Sequence, residues 1–465
     1  MNRLSLDVTN ALAEACGDAA GVKIDDLRKL KPKINDALEK LKASCGHEDG
    51  FFLDLPIHPI DEEERLAKEL RAEYENLVVI GIGGSALGTR AIYRGLRRPY
   101  SDRFRDGRPL GDALRLFFIE NVDPIEIEDL LDSLDLERTV FNVVTKSGTT
   151  IETISAMLIV RQRLIDRFGQ DGYRERMICT TGPENNALRN LAEEEGLRTF
   201  EIPPGVGGRY SALSAVGTLP LLCAGVDVPA LLNGARAGRD NALHQDLESN
   251  VAVLFAAIQA SFIERGTGDV VFMAYIPQFA DLGEWFVQLW AESLGKTRKD
   301  GTSVGPTPIP AIGARDQHSL LQLMMEGPLE RNVVFVEDER MPSHLQVPAA
   351  PPALAALKHL GERALSETLH AEQRGVEAAL REAGRPSSTL RLHGVNEETI
   401  GAFVIVLEMA TALTGLLLDI NPFDQPGVEL GKRYAHGILG HPGQATYLER
   451  LRQADDELVR RKLSF

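Results

Sequence analysis

The sequence predicts an α/β fold with two doubly wound, mostly parallel sheets, flanked by N- and C-terminal helical segments. Short β-branched or aromatic runs alternate with helical patterns from about residue 76, and the alternation resumes after a helical interval. At 465 residues the chain is also too long for one ordinary core. We therefore expect a helical segment at 1–75, α/β domains at 76–225 and 226–428, and a helical segment at 429–465.

The predicted strands are short apolar runs, as is typical of strands buried in parallel sheets. In the first sheet they lie at 77–80, 114–119, 140–144, 177–179 and 199–202. In the second sheet they lie at 270–274, 333–336 and 389–392. Residues 1–75 show helical periodicity and little strand signal, which predicts a helical segment there.

Composition narrows the classes of function. A net charge of -17 and a pI near 5.2 argue against nucleic acid or an anionic membrane as partner. We see no apolar run long enough to span a bilayer and no signal-peptide core at the N-terminus. The cysteines have neither metal-site nor disulfide-framework spacing: Cys16, Cys45, Cys179 and Cys223. We expect a cytoplasmic protein.

A hydroxyl-rich run follows the strand at 140–144 and precedes an amphipathic helix. Its residues are Thr145, Lys146, Ser147, Gly148, Thr149 and Thr150. A strand-to-helix turn exposes backbone N–H groups and the positive end of the helix dipole, which suits a dianion. Thr149 and Glu152 have the spacing of a capping box. The run predicts a phosphate-monoester site, and the alternative is a polar capped turn.

A second loop, 81–88, follows the strand at 77–80. Gly81, Gly83 and Ala86 fit a dinucleotide fingerprint, in which an acid that binds the ribose should follow about 20 residues later. The first acid that closes the next predicted strand is Glu120, much further along the chain. Gly84 and Ser85 would serve a monophosphate equally well. Close packing of helix on strand is the structural alternative.

One predicted helix could carry a catalytic carboxylate. Asp281 and Glu284 have capping-box spacing, and Gly295 is a natural helix stop. Glu284, Gln288 and Glu292 then form one polar ridge beside bulky aromatic neighbours, which would partly desolvate a carboxylate. The alternative is the solvated face of an ordinary amphipathic helix.

Four further polar residues stand out by their context. Arg209 follows a glycine pair, His318 follows a loop with three prolines, and Gln425 and Lys432 flank an irregular turn into a helix. Each is a weak signal alone. His318 lacks the paired histidines of a metal site.

Taken together, these blocks resemble the phosphoglucose isomerase family. The runs 207–217 and 423–432 are similar to its two signatures, and five blocks between Leu77 and Lys432 follow the family's order. The resemblance implies tandem sugar-isomerase (SIS) domains. It also implies reversible isomerisation of D-glucose 6-phosphate and D-fructose 6-phosphate, in glycolysis and gluconeogenesis, without metal or cofactor.

The resemblance further implies a role for each candidate residue. Glu292 would be the base that moves a proton between C1 and C2, Arg209 the cation beside the enediolate, and His318 and Lys432 the groups that assist ring opening. Substrate contacts would come from Gly84, Ser85, Thr145, Lys146, Ser147, Gly148, Thr149, Thr150, Gln288 and Gln425. A homodimer is implied, with His318 supplied across the interface.

Three alternatives stay open. One is a related aldose–ketose isomerase that also accepts mannose 6-phosphate. Another is a non-catalytic sugar-phosphate-binding protein, which would not need Glu292, His318, Arg209 and Lys432 together. The third is a nicotinamide-dependent dehydrogenase, as the loop at 81–88 permits.

Overall fold

The computed structural model describes residues 3–48, 50–98, 113–244, 249–341 and 344–457. The chain divides into two compact units, Met1–Pro422 and Phe423–Phe465. The larger unit holds both major sheets.

The first sheet is entirely parallel within the described residues, and its order is β3-β2-β4-β5-β6. Its strands are β2 (Asn76–Ile80), β3 (Arg115–Ile119), β4 (Thr139–Thr145), β5 (Met177–Thr181) and β6 (Arg198–Glu201). Every residue of β2, β4 and β5 is buried, in agreement with their apolar, β-branched sequences.

The second sheet has the order β1-β12-β11-β7-β10, with β1 antiparallel and the others parallel. Its strands are β1 (Leu4–Asp7), β7 (Asp269–Ala274), β10 (Pro308–Ile312), β11 (Arg331–Asp338) and β12 (Ser387–Leu392). A short antiparallel pair, β8 (Lys296–Thr297) and β9 (Ser303–Val304), lies between β7 and β10 in the chain. The predicted fold class of two mostly parallel α/β sheets is confirmed.

The helices of the larger unit connect and cover these strands. They are α1 (Ala13–Cys16), α2 (Ile24–Lys29), α3 (Lys31–Ala43), α4 (Asp61–Glu73), α5 (Leu87–Leu96), α6 (Pro124–Ser133), α7 (Ile151–Arg176), α8 (Ala187–Glu195), α9 (Ala215–Cys223), α10 (Val228–Ala242), α11 (Val251–Glu264), α12 (Ala280–Leu294), α13 (Gln317–Glu326), α14 (Leu365–Glu382) and α15 (Glu397–Leu417). The smaller unit contains α16 (Glu429–Ile438) and α17 (Ala445–Glu457), which pack together through Tyr434 and Tyr447.

Two strands of the major sheets, together with the short pair β8 and β9, lie where the sequence predicts no strand. The sequence does not reveal β1, because its Leu-Ser-Leu-Asp alternation is too short to stand out from its helical surroundings. The expectation of a proline-rich loop before His318 is wrong at β10, which contains Pro308 and Pro310. Proline cannot donate to a ladder, and β10 accommodates it because it is an edge strand that pairs with β7 alone.

Helix α12 joins the parts of the larger unit. It packs against α5, which follows β2 of the first sheet, and against β10 and β7 of the second sheet. It also packs against α15, a long core helix that contacts α10 and α11. A residue on α12 is therefore held by elements of both sheets.

Helix α15 is long and apolar enough, by length and composition, to cross a bilayer. The expectation that the chain contains no such run is therefore wrong. In the structure 94% of its most apolar window is buried inside the protein, which is the position of a core helix.

Glu408 interrupts this apolar helix. Its side chain is fully buried, and neither carboxyl oxygen finds a hydrogen-bond partner among the described residues. Burial without a counter-charge disfavours the ionised form, so it raises the pKa of the Glu408 carboxyl well above its ordinary value. The fold therefore favours the neutral form of this carboxylic acid in the core.

We expect Glu408→Gln to remove a pH-dependent loss of stability. The pKa of Glu408 is higher in the folded than in the unfolded protein. The protonated carboxyl therefore contributes to the free energy of unfolding fully below the unfolded-state pKa, and this contribution is lost as pH rises toward the folded-state pKa. Over that range the wild type should lose about 1.4 kcal/mol per pH unit relative to the Gln variant. The measurement is the urea midpoint of both proteins at about pH 5 and about pH 8. Equal pH dependence of stability in Glu408→Gln and wild type would contradict a neutral Glu408 carboxyl. The matched control is Glu64→Gln, which makes the same change at an exposed side chain.

Candidate active site

Two glycine-containing turns meet at the carboxyl end of the first sheet. The 3₁₀ turn Gly83–Ser85 follows β2, and the 3₁₀ turn Gly208–Tyr210 precedes α9. A Cβ atom placed on Gly84 would lie 2.2 Å from the carbonyl carbon and oxygen of Gly208. The hydroxyl of Ser211 donates to the carbonyls of both Gly84 and Gly208, at 3.2 and 2.7 Å. The lack of a side chain at Gly84 thus lets the predicted phosphate loop lie directly against the turn that carries Arg209.

The candidate base lies beside these turns. Gln288 and Glu292 are one turn apart on α12, and Gln288 Nε2 donates to Glu292 Oε2 at 3.1 Å. Glu292 Oε1 lies 3.5 Å from Arg209 Nη1. The Glu292 side chain is 25% exposed and that of Arg209 only 1%, so the carboxylate is open to solvent while the guanidinium is almost fully enclosed by protein. The structure therefore brings together Gly84, Arg209, Gln288 and Glu292.

Gln288 has a second polar atom in this region. Its Oε1 atom is buried and has no hydrogen-bond partner among the described residues. A Cβ atom on Gly83 would lie 3.0 Å from Gln288 Nε2, so the amide borders the glycine loop directly. A buried, unsatisfied acceptor next to a candidate base is suited to a ligand hydroxyl.

The hydroxyl-rich run forms a compact cluster at the end of β4, the strand next to β2. Thr145 Oγ1 and Thr150 Oγ1 are 2.8 Å apart, and Ser147 Oγ lies within 3.5 Å of both. The predicted Thr149–Glu152 capping box is wrong, because the Thr149 hydroxyl donates to Ser147 and Thr150 occupies the N-cap of α7. The hydroxyl groups therefore bond to one another rather than cap the helix.

The helices that follow the two loops have open N-termini. Ala86 and Thr150 are the N-caps of α5 and α7, and neither side chain accepts a capping hydrogen bond within the described residues. Some other helices are capped by a side chain, at Asp123, Asn186, Asp227 and Asn250, whereas others, such as α3, α4 and α13, also lack such a cap. Backbone N–H groups at two neighbouring helix ends, each following a polar loop, can bind an anion.

Gly148 shapes the hydroxyl-rich turn. Its φ of +66° lies in the left-handed region, and a Cβ atom there would lie 1.9 Å from Asn186 Oδ1. Asn186 is itself fixed, because it caps α8 by accepting from the Arg189 N–H. The turn is thus held by a neighbouring loop of the same sheet.

Lys146 differs from the expected arrangement. Its ammonium group donates to the carbonyls of Pro204 and Val206, at 2.5 and 2.9 Å, and burial lowers the pKa of this lysine. In this arrangement its positive charge is directed at the chain that leads to Gly207, not at the hydroxyl cluster. A role in substrate binding remains a prediction for this residue.

The remaining candidate residues lie on α13 and in the smaller unit. His318 is exposed near the start of α13, and its imidazole makes no hydrogen bond in the part of the chain that the structure describes. Gln425 and Lys432 belong to the smaller unit, where Lys432 pairs with Glu429 at 2.8 Å. Their roles stay predictions.

The N-terminal part of α12 has ion pairs in place of the predicted capping box. Phe279 is the N-cap of this helix, and Asp281 pairs with Arg94 at 3.1 Å. Arg90 of α5 pairs with Glu284 and also with Glu120, the acid that closes β3. The capping prediction is wrong because these carboxylates join α12 to α5 instead.

Comparison with known proteins identifies the family. The profile of the family described as phosphoglucose isomerase matches residues 69–456. The chain belongs to the phosphoglucose isomerase family. A glucose-6-phosphate isomerase of Carboxydothermus hydrogenoformans is 40% identical over 429 residues, which cover 90% of this chain and 91% of that protein. A glucose-6-phosphate isomerase of Rubrobacter xylanophilus is 39% identical over 422 residues, which cover 90% of this chain and 94% of that protein.

Solved structures agree with this assignment. A hypothetical protein from Thermus thermophilus is similar with a TM-score of 0.82 and 35% identity, over 94% of this chain and all of that one. A glucose-6-phosphate isomerase from Chlamydia trachomatis has a TM-score of 0.78 over 97% of this chain and 92% of its own. At 22% identity its likeness concerns the fold. The family resemblance seen in the sequence is confirmed.

Gly84→Ala tests the contact between the two turns. The new methyl group would lie 2.2 Å from Gly208 backbone atoms and 2.7 Å from Arg209 N, so the turns must separate. Because displacement of a catalytic group by about 1 Å costs roughly 10²-fold in rate, we expect a loss of that order in kcat/KM. The control is Gly375→Ala on α14, where no atom lies within 4 Å of the added Cβ. Wild-type kcat/KM in Gly84→Ala would show that the contact has no role.

Proposed function

We propose that this chain interconverts glucose 6-phosphate and fructose 6-phosphate, with Glu292 as the base. The observation that carries the proposal is the position of the Glu292 carboxylate, 3.5 Å from the buried Arg209 guanidinium. The uncapped N-termini of α5 and α7, which follow the neighbouring strands β2 and β4, are the candidate phosphate site. Family membership and full-length similarity to glucose-6-phosphate isomerases support the same reaction.

The geometry suits proton transfer between adjacent carbons. In the open-chain aldose Glu292 would remove the C2 proton, so that the C2–H bond electrons form the C1=C2 double bond and the carbonyl electrons move to O1, which gives the enediolate. Return of that proton to C1, with passage of the C2 hydroxyl proton to O1, would give the ketose. Arg209 would stabilise negative charge on the enediolate oxygens, and its burial would strengthen that interaction. Gln288 Oε1 would accept a hydrogen bond from a substrate hydroxyl. Neither step requires an external oxidant or reductant.

The phosphate would bind at the first sheet. Gly84, Ser85 and the run Thr145–Thr150 offer backbone N–H groups and hydroxyls at the ends of β2 and β4. A Cβ atom on Gly81 would lie 3.1 Å from both the Ser85 and the Val144 carbonyl oxygens, so the two loops are side by side. Binding the remote phosphate supplies energy to hold the reacting carbons at the base.

We infer that the reaction is metal-independent. The proposed base and cation are both side chains, so charge stabilisation needs no additional group. Glu120 follows β3, as a ribose-binding acid would, but it pairs with Arg90. Activity toward mannose 6-phosphate and a purely sensing role have no observation in their favour.

We infer that the protein acts in the cytoplasm as a homodimer, with His318 and Lys432 assisting ring opening. All cysteines are free, and three of the four are buried, in keeping with a reducing compartment. The turn Pro352–Leu360 exposes leucine side chains, and His318 projects without a partner among the described residues. Exposed apolar side chains of this kind favour a contact with a second copy of the chain.

Glu292→Gln tests the base directly. Glutamine preserves size and hydrogen bonding but cannot accept the proton, so isomerisation should fall by about 10²- to 10⁴-fold or more. The measurement is exchange of the C2 hydrogen of glucose 6-phosphate with deuterated solvent, followed by NMR. Wild type should exchange during turnover, and the variant should bind the sugar phosphate without exchanging.

The matched control lies on the same ridge of the same helix. Glu284→Gln makes the same chemical change two turns earlier, at a side chain that is 54% exposed, and should leave exchange close to wild type. Near wild-type exchange in Glu292→Gln would place the base elsewhere. Absence of exchange and isomerisation in the wild type itself would overturn the proposed function.

A mixture of two inactive variants tests whether His318 acts across an interface. A mixed dimer of Glu292→Gln and His318→Ala chains has one site with both native residues if His318 comes from the partner subunit, and none if it acts within its own chain. A statistical mixture should then recover about a quarter of wild-type activity, since half the dimers are mixed and each has one intact site. No recovery, with mixed dimers verified by two affinity tags, would contradict the cross-subunit role.

A further inference from the structure

Ser293 is a fully buried residue that directly follows Glu292 on α12. Its hydroxyl oxygen accepts a hydrogen bond from Arg209 Nε at 2.7 Å. The same oxygen lies 3.1 Å from the Tyr210 hydroxyl. Sequence reasoning missed Ser293, because a serine among apolar neighbours on a core helix carries no motif of its own.

The guanidinium of Arg209 is fixed from two directions. While Nε donates to Ser293, Nη2 donates to the carbonyl oxygen of Pro422 at 2.6 Å. Because the guanidinium is a rigid plane, two bonds at different nitrogens set its orientation. Its Nη1 atom then faces Glu292 Oε1 at 3.5 Å.

Tyr210 completes the surroundings of Ser293. Burial raises the pKa of Tyr210 to about 12, while hydrogen bonds from Arg209 and Ser293 act in the opposite direction. The tyrosine is therefore a neutral hydroxyl that shares its hydrogen bonds with the same two side chains. It packs against Phe52, with ring centroids 4.9 Å apart, which holds its ring in place.

We infer that Ser293 is a positioning residue, which holds the Arg209 guanidinium in the plane that faces the Glu292 carboxylate. Consecutive residues of one helix keep a fixed spacing, so the base and the group that orients the cation share one rigid backbone. Any movement of α12 would carry the carboxylate and the orienting hydroxyl together. The inference rests on the proposed function, since it assigns Ser293 a part in stabilising the enediolate.

A positioning role predicts an effect on turnover rather than on substrate binding. In Ser293→Ala the Arg209 Nε–H loses its acceptor while the phosphate loops are untouched. We expect kcat to fall by about 10- to 100-fold, as for a group displaced by a fraction of an ångström to 1 Å, with KM for fructose 6-phosphate changed by less than about threefold. The affinity for 6-phosphogluconate, an anionic analogue, should stay at the wild-type value.

A mutant cycle with Arg209→Met separates action through the arginine from a general effect on the core. Methionine has similar length but no N–H to give to Ser293, so adding Ser293→Ala to Arg209→Met should change kcat by less than about twofold. The control is Ser261→Ala on α11, a helical serine that bonds to its own backbone carbonyl at Ala257 and should leave kcat unchanged.

The outcomes are distinct. Wild-type kcat in Ser293→Ala, or an equal loss in the Arg209→Met background, would overturn the positioning role while leaving the proposed function intact. An inactive wild type would instead overturn the proposed function. If Ser293→Ala does not fold, Ser293→Cys, which is closer in volume and a weaker acceptor, should show the same split between kcat and KM.

Discussion

The burial of the Arg209 charge is the constraint on which the active-site arrangement depends. A guanidinium with 1% exposure is stable in a protein interior only if its donors are satisfied and a counter-charge is near. Its partners include Ser293 and Glu292 on α12 and Pro422 beyond the end of α15. The turn Gly208–Tyr210, helix α12 and the segment after α15 must therefore meet at one point, and that point carries the proposed base.

The two sheets have the same strand connectivity around their first strand, but different types of residue follow their strands. In the first, the chain leaves β2 for β3 on one side and crosses to β4 on the other, and in the second it leaves β7 for β10 and crosses to β11. Ligands bind where strand order reverses. After β4 that point carries Thr145–Thr150, whereas after β11 it carries Glu339 and Arg340, next to the buried Asp338. Hydroxyls suit a phosphate, whereas the two carboxylates of Asp338 and Glu339 beside Arg340 do not favour one, so the described part of the second sheet carries no counterpart of the hydroxyl-rich run.

The sequence predicts those strands and helices whose local residue pattern matches the environment that they occupy in the fold. Buried parallel strands such as β4 are continuous β-branched runs, and they lie where expected. The sequence could not predict β10, because its prolines exclude a central strand and only the tertiary structure places it at an edge. Both capping boxes fail because Thr149 and Asp281 bond to other side chains instead. Sequence reasoning could not identify Ser293, because its proposed role depends on a hydrogen bond from Arg209, which lies 84 positions away in the chain.

An acidic protein that binds a dianion must attract it locally. The net charge of -17 opposes a sugar phosphate, and the ammonium of Lys146 is directed at two backbone carbonyls. What the described loops offer is the uncapped N-termini of α5 and α7, with hydroxyls that can turn their protons outward. Backbone dipoles are fixed by the fold and cannot be neutralised by the protein's own mobile carboxylates. Under the proposed function, the buried positive charge of Arg209 would then act on the enediolate, where charge develops only during the reaction.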